Sequence, residues 1–543
     1  HSIEVPGVYL GIRPHREYPY QALASHLIGY TNPWEKGDIP KNQRQKYDHY
    51  VGDEKGVIGI EATFDDILRG PEGSRTLVRN DRGKITGIID YRPPNVGADV
   101  RLTIDARAQN LVSNVLRRAG RASAVVMDVR SGEIIAMASV PDYNPNDFIP
   151  SISREKWTAY QADTTSPLTN RAIAGFAPGS TLKLATAVAG ALHQKANQSH
   201  RCIGYVSYGS YQPRCWKRSG HGTLSMSEAI QRSCNPYFFK LANSLGGQRM
   251  ITSLTMLGFG QKTNIQLPNE SPGVFPGSPH ANRLARNARL TPATLAQLSI
   301  GQGGTLTTPL QICAMTAGIA NGGRYYQPRL VKSAVLPNGT VLVEDRPNLR
   351  LDLVKEGIVP ADLEIIRRGM WRAANEPGGT ARRAAIPNVE IAAKTGTAQT
   401  TDNGQPSHNA WTVAFAPYDE PRYAVAVMVQ NGKSGGAVCG PLVHLILRGL
   451  LARDEGMKLP LTKLDPVVGN RDPIEQIELP ENIMAMIEIG SAGETGDEAV
   501  GGTTVQPAVT ISVDESVTPE PTITPEIDEE GSVIPRAIPV EEP

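Results

Sequence analysis

Ser180 and Lys183 lie three residues apart in Ser180-Thr181-Leu182-Lys183, directly after Pro178-Gly179. Proline and glycine before a small hydroxyl residue read as a helix start, which places the serine in the first turn and the lysine one turn on, on the same side. That spacing sets an amine beside a hydroxyl. A serine hydroxyl is a poor nucleophile until a base takes its proton, and a lysine, with an ordinary pKa of about 10.4, serves only if held neutral. Alone the pattern says little, because a chain this long yields roughly one or two such matches by chance, most of them a capped helix with a solvated lysine.

Two further clusters follow. Ser233-Cys234-Asn235 supplies a second hydroxyl and an amide, and Lys394-Thr395-Gly396-Thr397 supplies a cation flanked by hydroxyls. Taken by itself, Lys394-Thr395-Gly396 is an ordinary strand end and turn. Cys202, Cys215, His221 and Cys234 are spaced C-x12-C-x5-H-x12-C, three soft ligands and an imidazole, the complement of a closed tetrahedral zinc site. The spacing fits no standard finger. A Cys202–Cys215 disulfide, with Cys234 as a small buried residue, uses the same residues in an oxidising compartment, and free thiols are the third reading. Cys313 and Cys439 sit in apolar helical contexts and read as packing residues.

The elements that must position these groups are legible as patterns. Val100–Ile104 alternates and is followed by a helix over 106–118. Ala124–Met127 and Ile134–Ala138 are apolar strands joined by Arg130-Ser131-Gly132, a hairpin. A long helical section runs from about Ser180 to Ala320. Val389–Ala393, Trp411–Ala416 and Tyr423–Val429 are three more strands, the last two joined by Tyr418-Asp419-Glu420-Pro421. The order predicts an antiparallel sheet whose halves are separated by a helical part, with an amphipathic helix after Gly440 closing its back.

Composition bounds the rest. At 543 residues, 40% hydrophobic and 20% charged, the chain exceeds one core. Its net charge of +1 provides no global field for nucleic acid. No run of 18 apolar residues occurs, and Leu442–Ala452 is interrupted by His444 and Arg448. Residues 1–97 read as an irregular accessory domain rich in Tyr, Gly and Pro, ending at Asn95-Val96-Gly97. From Ser491 to Pro543 twelve acids face one base, Arg536, amid Pro, Thr and Gly, so this segment is expected to be disordered.

In order, Ser180-x-x-Lys183, Ser233-x-Asn235 and Lys394-Thr395-Gly396 form the motif set of penicillin-recognising serine enzymes. From about Gly7 to Ala452 the chain resembles the class B penicillin-binding proteins. Gly56-Val57-Ile58-Gly59-Ile60-Glu61 with Leu68-Arg69-Gly70 resembles the stretch joining their pedestal to the catalytic domain. Gly301-Gln302-Gly303, Thr308-Pro309-Leu310-Gln311 and Ala320-Asn321-Gly322-Gly323 resemble the run before the K-T-G strand. Pro167-Leu168-Thr169-Asn170-Arg171 and His15-Arg16-Glu17-Tyr18-Pro19 favour the elongation branch, the penicillin-binding proteins 2.

The resemblance implies an α+β multidomain chain. Residues 1–97 would form a partial dimerisation-type pedestal, 98–460 a transpeptidase domain, and 461–543 an extension disordered from about 490. The transpeptidase domain is expected to be serine β-lactamase-like, a five-stranded antiparallel sheet between helical layers. By resemblance, Ser180 is the nucleophile and Lys183 its base, kept neutral by Lys394 and burial. A like charge about 4 Å away, at an effective dielectric near 20, costs about 4 kcal/mol, or roughly three pKa units.

In the family's geometry Ser233 relays the proton and Asn235 fixes Lys183 and the substrate peptide. Lys394 and Thr395 receive a carboxylate, Gly396 permits close approach, and the N–H groups of Ser180 and Thr397 hold the oxyanion. The expected activity is D,D-transpeptidation of peptidoglycan stem peptides in lateral wall elongation, blocked by β-lactams. A D,D-carboxypeptidase or β-lactamase of the same superfamily shares the motifs, and a non-catalytic β-lactam sensor shares the fold. No cofactor is needed for the chemistry, while members of the branch can carry a metal near Cys202–Cys234. The resemblance further implies a membrane helix ahead of His1, a periplasmic location, and a membrane glycan polymerase as partner.

Overall fold

The structure is a computed structural model and describes residues 16–34, 54–71, 73–93, 95–278, 290–402, 404–457, 477 and 479–489. The acidic segment from Ser491, and His15 of the N-terminal motif, lie outside the described residues.

Five strands, β1 (Ala122–Asp128), β2 (Ile134–Val140), β3 (Ala392–Asp402), β4 (Gln405–Ala416) and β5 (Tyr423–Gln430), form one sheet in the order β3-β4-β5-β1-β2. Every neighbouring pair is antiparallel. Side chains alternate between its faces, as a pleated strand requires. On β5, Ala424, Ala426 and Met428 join the core under the helical part, whereas Tyr423, Val425, Val427 and Val429 join a second core behind the sheet. Both faces are therefore buried, which is why β1, β2 and β5 read as nearly continuous apolar runs.

The helices that cover the sheet have recognisable starts. Behind it lies α1 (Ala106–Arg117), whose Asp105 carboxylate accepts from Ala108 N at 2.9 Å. In front lie α2 (Lys183–Leu192), α3 (Met226–Gln231), α4 (Asn235–Leu245) and α5 (Pro309–Ala320). Reciprocal capping boxes begin two of them, Ser225 with Glu228 on α3 and Thr308 with Gln311 on α5. The back is closed by α6 (Gly440–Asp454), as its sequence predicts. The stretch Gly435–Asp454 is long and apolar enough to cross a membrane by length and composition. Here, however, Leu442, Val443, Ile446, Leu447 and Leu450 are buried against the sheet, while Arg448 is exposed.

Two expectations need correction. The strand expected over Val389–Ala393 starts later and runs further: β3 begins at Ala392 and continues through Lys394–Thr397 to Asp402, pairing with β4 along its whole length. Its polar residues concealed a strand whose β-branched threonines suit a pleat but whose pattern shows no apolar alternation. Nor is Ser180–Ala320 continuously helical, since paired strands His200–Cys202 and Gly222–Leu224 interrupt it around a protruding loop. Cys313 and Cys439 are packing residues, both fully buried.

Among the described residues of the N-terminal part, Thr31–Pro33 pairs with Glu54–Gly56 and Ser74–Arg79 with Ile85–Arg92. His26 Nε2 lies 2.7 Å from Pro167 O, which ties this part to the segment leading to Ser180. A final helix, α7 (Glu481–Ile489), buries Ile483 and Ile487 against Leu23. Ile477 N also donates to Asn114 Oδ1 of α1 at 3.1 Å.

Candidate active site

Ser180 occupies a short 3-10 turn, Gly179–Thr181, and the α-helix starts only at Lys183. The turn is tied down from two sides. Gly179 N donates to Gly301 O at 3.1 Å, and the Trp411 indole of β4 donates to Ala177 O at 2.9 Å. Gly179 has φ +55°, and a Cβ there would stand 2.9 Å from the Thr397 carbonyl, so glycine lets the nucleophile turn lie directly on β3.

Lys183 is fully buried. Its Nζ donates to Ser233 O at 2.8 Å, to Ser233 Oγ at 3.3 Å and to Asn235 Oδ1 at 2.6 Å. Lys394 is equally buried, and its Nζ donates to the same Ser233 Oγ at 2.8 Å and to Thr395 O at 2.7 Å. Two amines thus converge on one hydroxyl. Asn235 is fixed in turn by donating from Nδ2 to Arg214 O at 3.1 Å. Ser233 has φ +52°, uncommon for a residue with a side chain, and such strain is held where a side chain must be aimed.

The Lys183 amine, expected beside Ser180, makes no hydrogen bond to the Ser180 hydroxyl. All three Lys183 hydrogen bonds go to Ser233 and Asn235, and the Ser180 hydroxyl has no hydrogen-bond partner among the described residues. Contacts between nucleophile and base are commonly loose without substrate.

Burial pushes Lys183 down to about 8, against a smaller upward pull from the sulfurs of Cys234 and Cys215. Burial, and then the charge of Lys183, push Lys394 well below the ordinary lysine range. At pH 7 about one Lys183 amine in ten is then neutral, against about one in three thousand for an ordinary lysine. The acylation rate should therefore rise about tenfold per pH unit and level off above about 8. Stopped-flow traces with a fluorescent penicillin from pH 5 to pH 9.5 measure this, and a flat profile would contradict Lys183 as the base.

Two contributors escaped the sequence reading. Phe238 lies under Lys183, with its ring centroid 5.6 Å from Nζ; its bulk forms part of the apolar wall that keeps water from the amine, while its ring face attracts the ammonium and offsets part of that cost. Gly435, in the turn before α6, donates from N to Thr397 Oγ1 at 3.2 Å and accepts from Thr412 Oγ1 at 3.1 Å. A Cβ on Gly435 would lie 2.3 Å from Gly396 O, so its backbone presses on the K-T-G strand. The paired glycines Gly435-Gly436 before an apolar helix were the available signal.

Cys202, Cys215, His221 and Cys234 also converge, with one ligand atom of each lying within 4.8 Å of the others. His221 Nδ1 is 3.5 Å from Cys215 Sγ and 3.7 Å from Cys202 Sγ. A zinc ion with ordinary bond lengths has a sulfur-to-nitrogen tetrahedral edge of about 3.6 Å. The donor set and its spacing fit that ion. All five cysteines are unpaired, and Cys234 stands between Ser233 and Asn235.

Comparisons with known proteins follow the same lines. The family described as Penicillin binding protein transpeptidase domain matches residues 122–448, and the Penicillin-binding Protein dimerisation domain matches residues 1–102. The peptidoglycan D,D-transpeptidase MrdA of Acinetobacter baumannii is 32% identical over 452 residues, covering 80% of this chain and 65% of that protein. The chain thus spans just under two thirds of that relative's length. The penicillin-binding protein PBP2 of Helicobacter pylori, solved in complex with MreC, superposes with a TM-score of 0.69 at 28% identity, covering 80% of this chain and 79% of that one. Pseudomonas aeruginosa PBP2, solved in complex with WCK 5153, gives 0.68 at 30% identity, with 84% and 96% covered.

Proposed function

This chain belongs to the penicillin-binding transpeptidase family, and from that membership we propose that it is a peptidoglycan D,D-transpeptidase of lateral wall elongation, acting through a Ser180 acyl-enzyme. The observation that carries the reading is the single hydroxyl, Ser233 Oγ, shared by the amines of Lys183 and Lys394. Neither amine can stay charged cheaply beside the other. A substrate carboxylate arriving at Lys394 and Thr395 favours the ammonium form of Lys394 and so drives Lys183 neutral.

Neutral Lys183 then takes the Ser180 proton as the oxygen attacks the penultimate D-Ala carbonyl. The N–H groups of Ser180 and Thr397 hold the oxyanion, a contribution of about 3 kcal/mol for each such donor. The proton passes through Ser233 to the departing D-Ala amine, and the carbon–nitrogen bond breaks. An amine of a neighbouring stem peptide attacks the ester next, and Ser180 recovers its proton by the reverse path. A β-lactam enters the same sequence, but its leaving group remains attached after the ring opens.

The four-residue Cys/His cluster is proposed to hold structural Zn2+, with Cys202, Cys215, His221 and Cys234 as ligands. Bound there, the ion supplies cross-linking rather than reactivity, and fixes the turn that carries Ser233 and Asn235. The catalytic part is proposed to work on the periplasmic face of the inner membrane, where the proposed substrate lies. The N-terminal part is proposed to meet a membrane glycan polymerase of the elongation machinery.

Mass spectrometry after benzylpenicillin treatment, with peptide mapping, tests the chemistry. A stable adduct on Ser180, absent from Ser180→Ala, is expected. Rapid loss of the adduct would assign the chain to the hydrolases of this fold, and no adduct at all would leave a non-catalytic scaffold.

A further inference from the structure

Charge is distributed unevenly along this chain despite its net value of +1. Between Thr164 and Asn269 there is one acid, Glu228, against eleven Lys and Arg residues. That acid is occupied: its carboxylate accepts from Ser225 N and Ser225 Oγ, both at 2.9 Å, and faces Arg372 and Arg232. On the neighbouring helix Pro360–Asn375 and its end, Glu376 is bound by Arg372 at 2.7 Å and Arg368 at 3.9 Å. Neither carboxylate is left to neutralise further cations.

Three of the eleven lie close together on one loop. Between the paired strands His200–Cys202 and Gly222–Leu224 the chain folds back on itself, with bridges Tyr205–Arg214 and Tyr208–Tyr211. On its returning arm Arg214, Lys217 and Arg218 are all exposed, and none forms an ion pair among the described residues. Trp216 stands among them, 59% exposed, with its indole N–H anchored to Arg232 O at 3.0 Å. A large exposed aromatic beside three cations without ion-pair partners offers an apolar face and ionic contacts together, the complement of an anionic, partly apolar group.

The loop borders the reacting groups. Arg214 O accepts from the Asn235 amide, and the carbonyl that anchors Trp216 belongs to the residue before Ser233. The loop that carries these side chains is therefore held against the turn that bears Ser233 and Asn235. The donor's terminal carboxylate is assigned to Lys394 and Thr395, so a second anionic subsite serves the body of the same molecule.

We propose that Arg214, Lys217 and Arg218, with the Trp216 face, form a subsite for the carboxylate-bearing body of the acyl-donor stem peptide, upstream of the scissile bond. The assignment rests on the transpeptidase reading above. It makes a free carboxylate on the donor's body a determinant of acylation rate, acting through long-range attraction as well as contact.

The test compares two penicillins that share the ring carboxylate, benzylpenicillin and its α-carboxy derivative, on wild type and on Lys217→Glu/Arg218→Glu. Neither residue is a ligand of the cluster or a member of the catalytic set. The double reversal should lower the second-order acylation rate constant for the α-carboxy compound about tenfold at low salt, and the effect should shrink to about twofold at 0.5 M salt. Benzylpenicillin, whose ring carboxylate feels the same field with half the charge, should fall by no more than about threefold at low salt and change little at 0.5 M salt. Lys217→Gln/Arg218→Gln, which adds no charge, should fall between. Equal loss with both compounds in the glutamine pair, or no selective loss in either pair, overturns the subsite. A wild type that reacts with neither penicillin instead overturns the transpeptidase reading itself.

Discussion

Lys183→Met is expected to slow acylation by benzylpenicillin about 10² to 10⁴-fold, the range general-base catalysis supplies. Methionine keeps the length and apolar body of the lysine stem, so the variant removes the amine with little change in packing. Two acceptors lose their donor, Ser233 O and Asn235 Oδ1, while Ser233 Oγ keeps the hydrogen bond from Lys394. Leaving buried acceptors unpaired costs about 1 to 3 kcal/mol each, but the variant also removes an amine that burial and a neighbouring lysine penalise. The melting temperature should therefore move by only a few degrees while the rate collapses.

The same variant reports on Lys394. Its ammonium form is disfavoured by burial and by the charge of Lys183, so removing that charge should raise its pKa. The residual acylation should then lack the rise through about pH 8 assigned to Lys183. Acylation within tenfold of wild type would show that another group takes the Ser180 proton.

How much of this was readable beforehand varies by residue. Ser180, Lys183, Ser233, Asn235 and Lys394–Thr397 were named from three short motifs, and the structure brings all of them to one place. The motifs are legible because chemistry restricts residue type at each position. Their orientation was not. Helical spacing placed Lys183 beside Ser180, but the serine sits in a 3-10 turn and the amine points to Ser233. A positive φ at Ser233 leaves no mark on composition, because serine is not the residue that such a backbone selects.

Strand β3 shows a different limit. Its buried half, Ala392–Gly396, continues into polar residues along the cleft, so periodicity could not reveal that it runs to Asp402. The sheet's other strands were visible because both of their faces are buried. Gly435 and Phe238 act through backbone approach and an apolar wall, and such roles appear only after folding brings distant segments together. Convergence of the Cys/His cluster was likewise invisible to spacing alone: two strands and a protruding loop bring Cys202 and His221 together, and the turn after α3 adds Cys234.

That convergence carries the second large effect. Purified protein should contain about one zinc per chain, and Cys215→Ser should contain markedly less. A structural zinc contributes its binding free energy to folding, so loss of one ligand should lower the melting temperature by about 10 °C or more. Acylation should fall as well, by about 10 to 100-fold, although no ligand touches the substrate. The cause is positional. Cys234 separates Ser233 from Asn235, and Arg214, whose carbonyl holds the Asn235 amide, adjoins Cys215. Releasing the cluster frees both supports of the Lys183 amine.

A chelator strong enough to strip the ion should reproduce both effects in wild type and add little to Cys215→Ser. Restoring zinc should recover the melting temperature of stripped wild type only. If Cys215→Ser keeps wild-type stability and the purified wild type contains no metal, the cluster is a set of packed thiols, and the placement of Asn235 rests on its two hydrogen bonds alone.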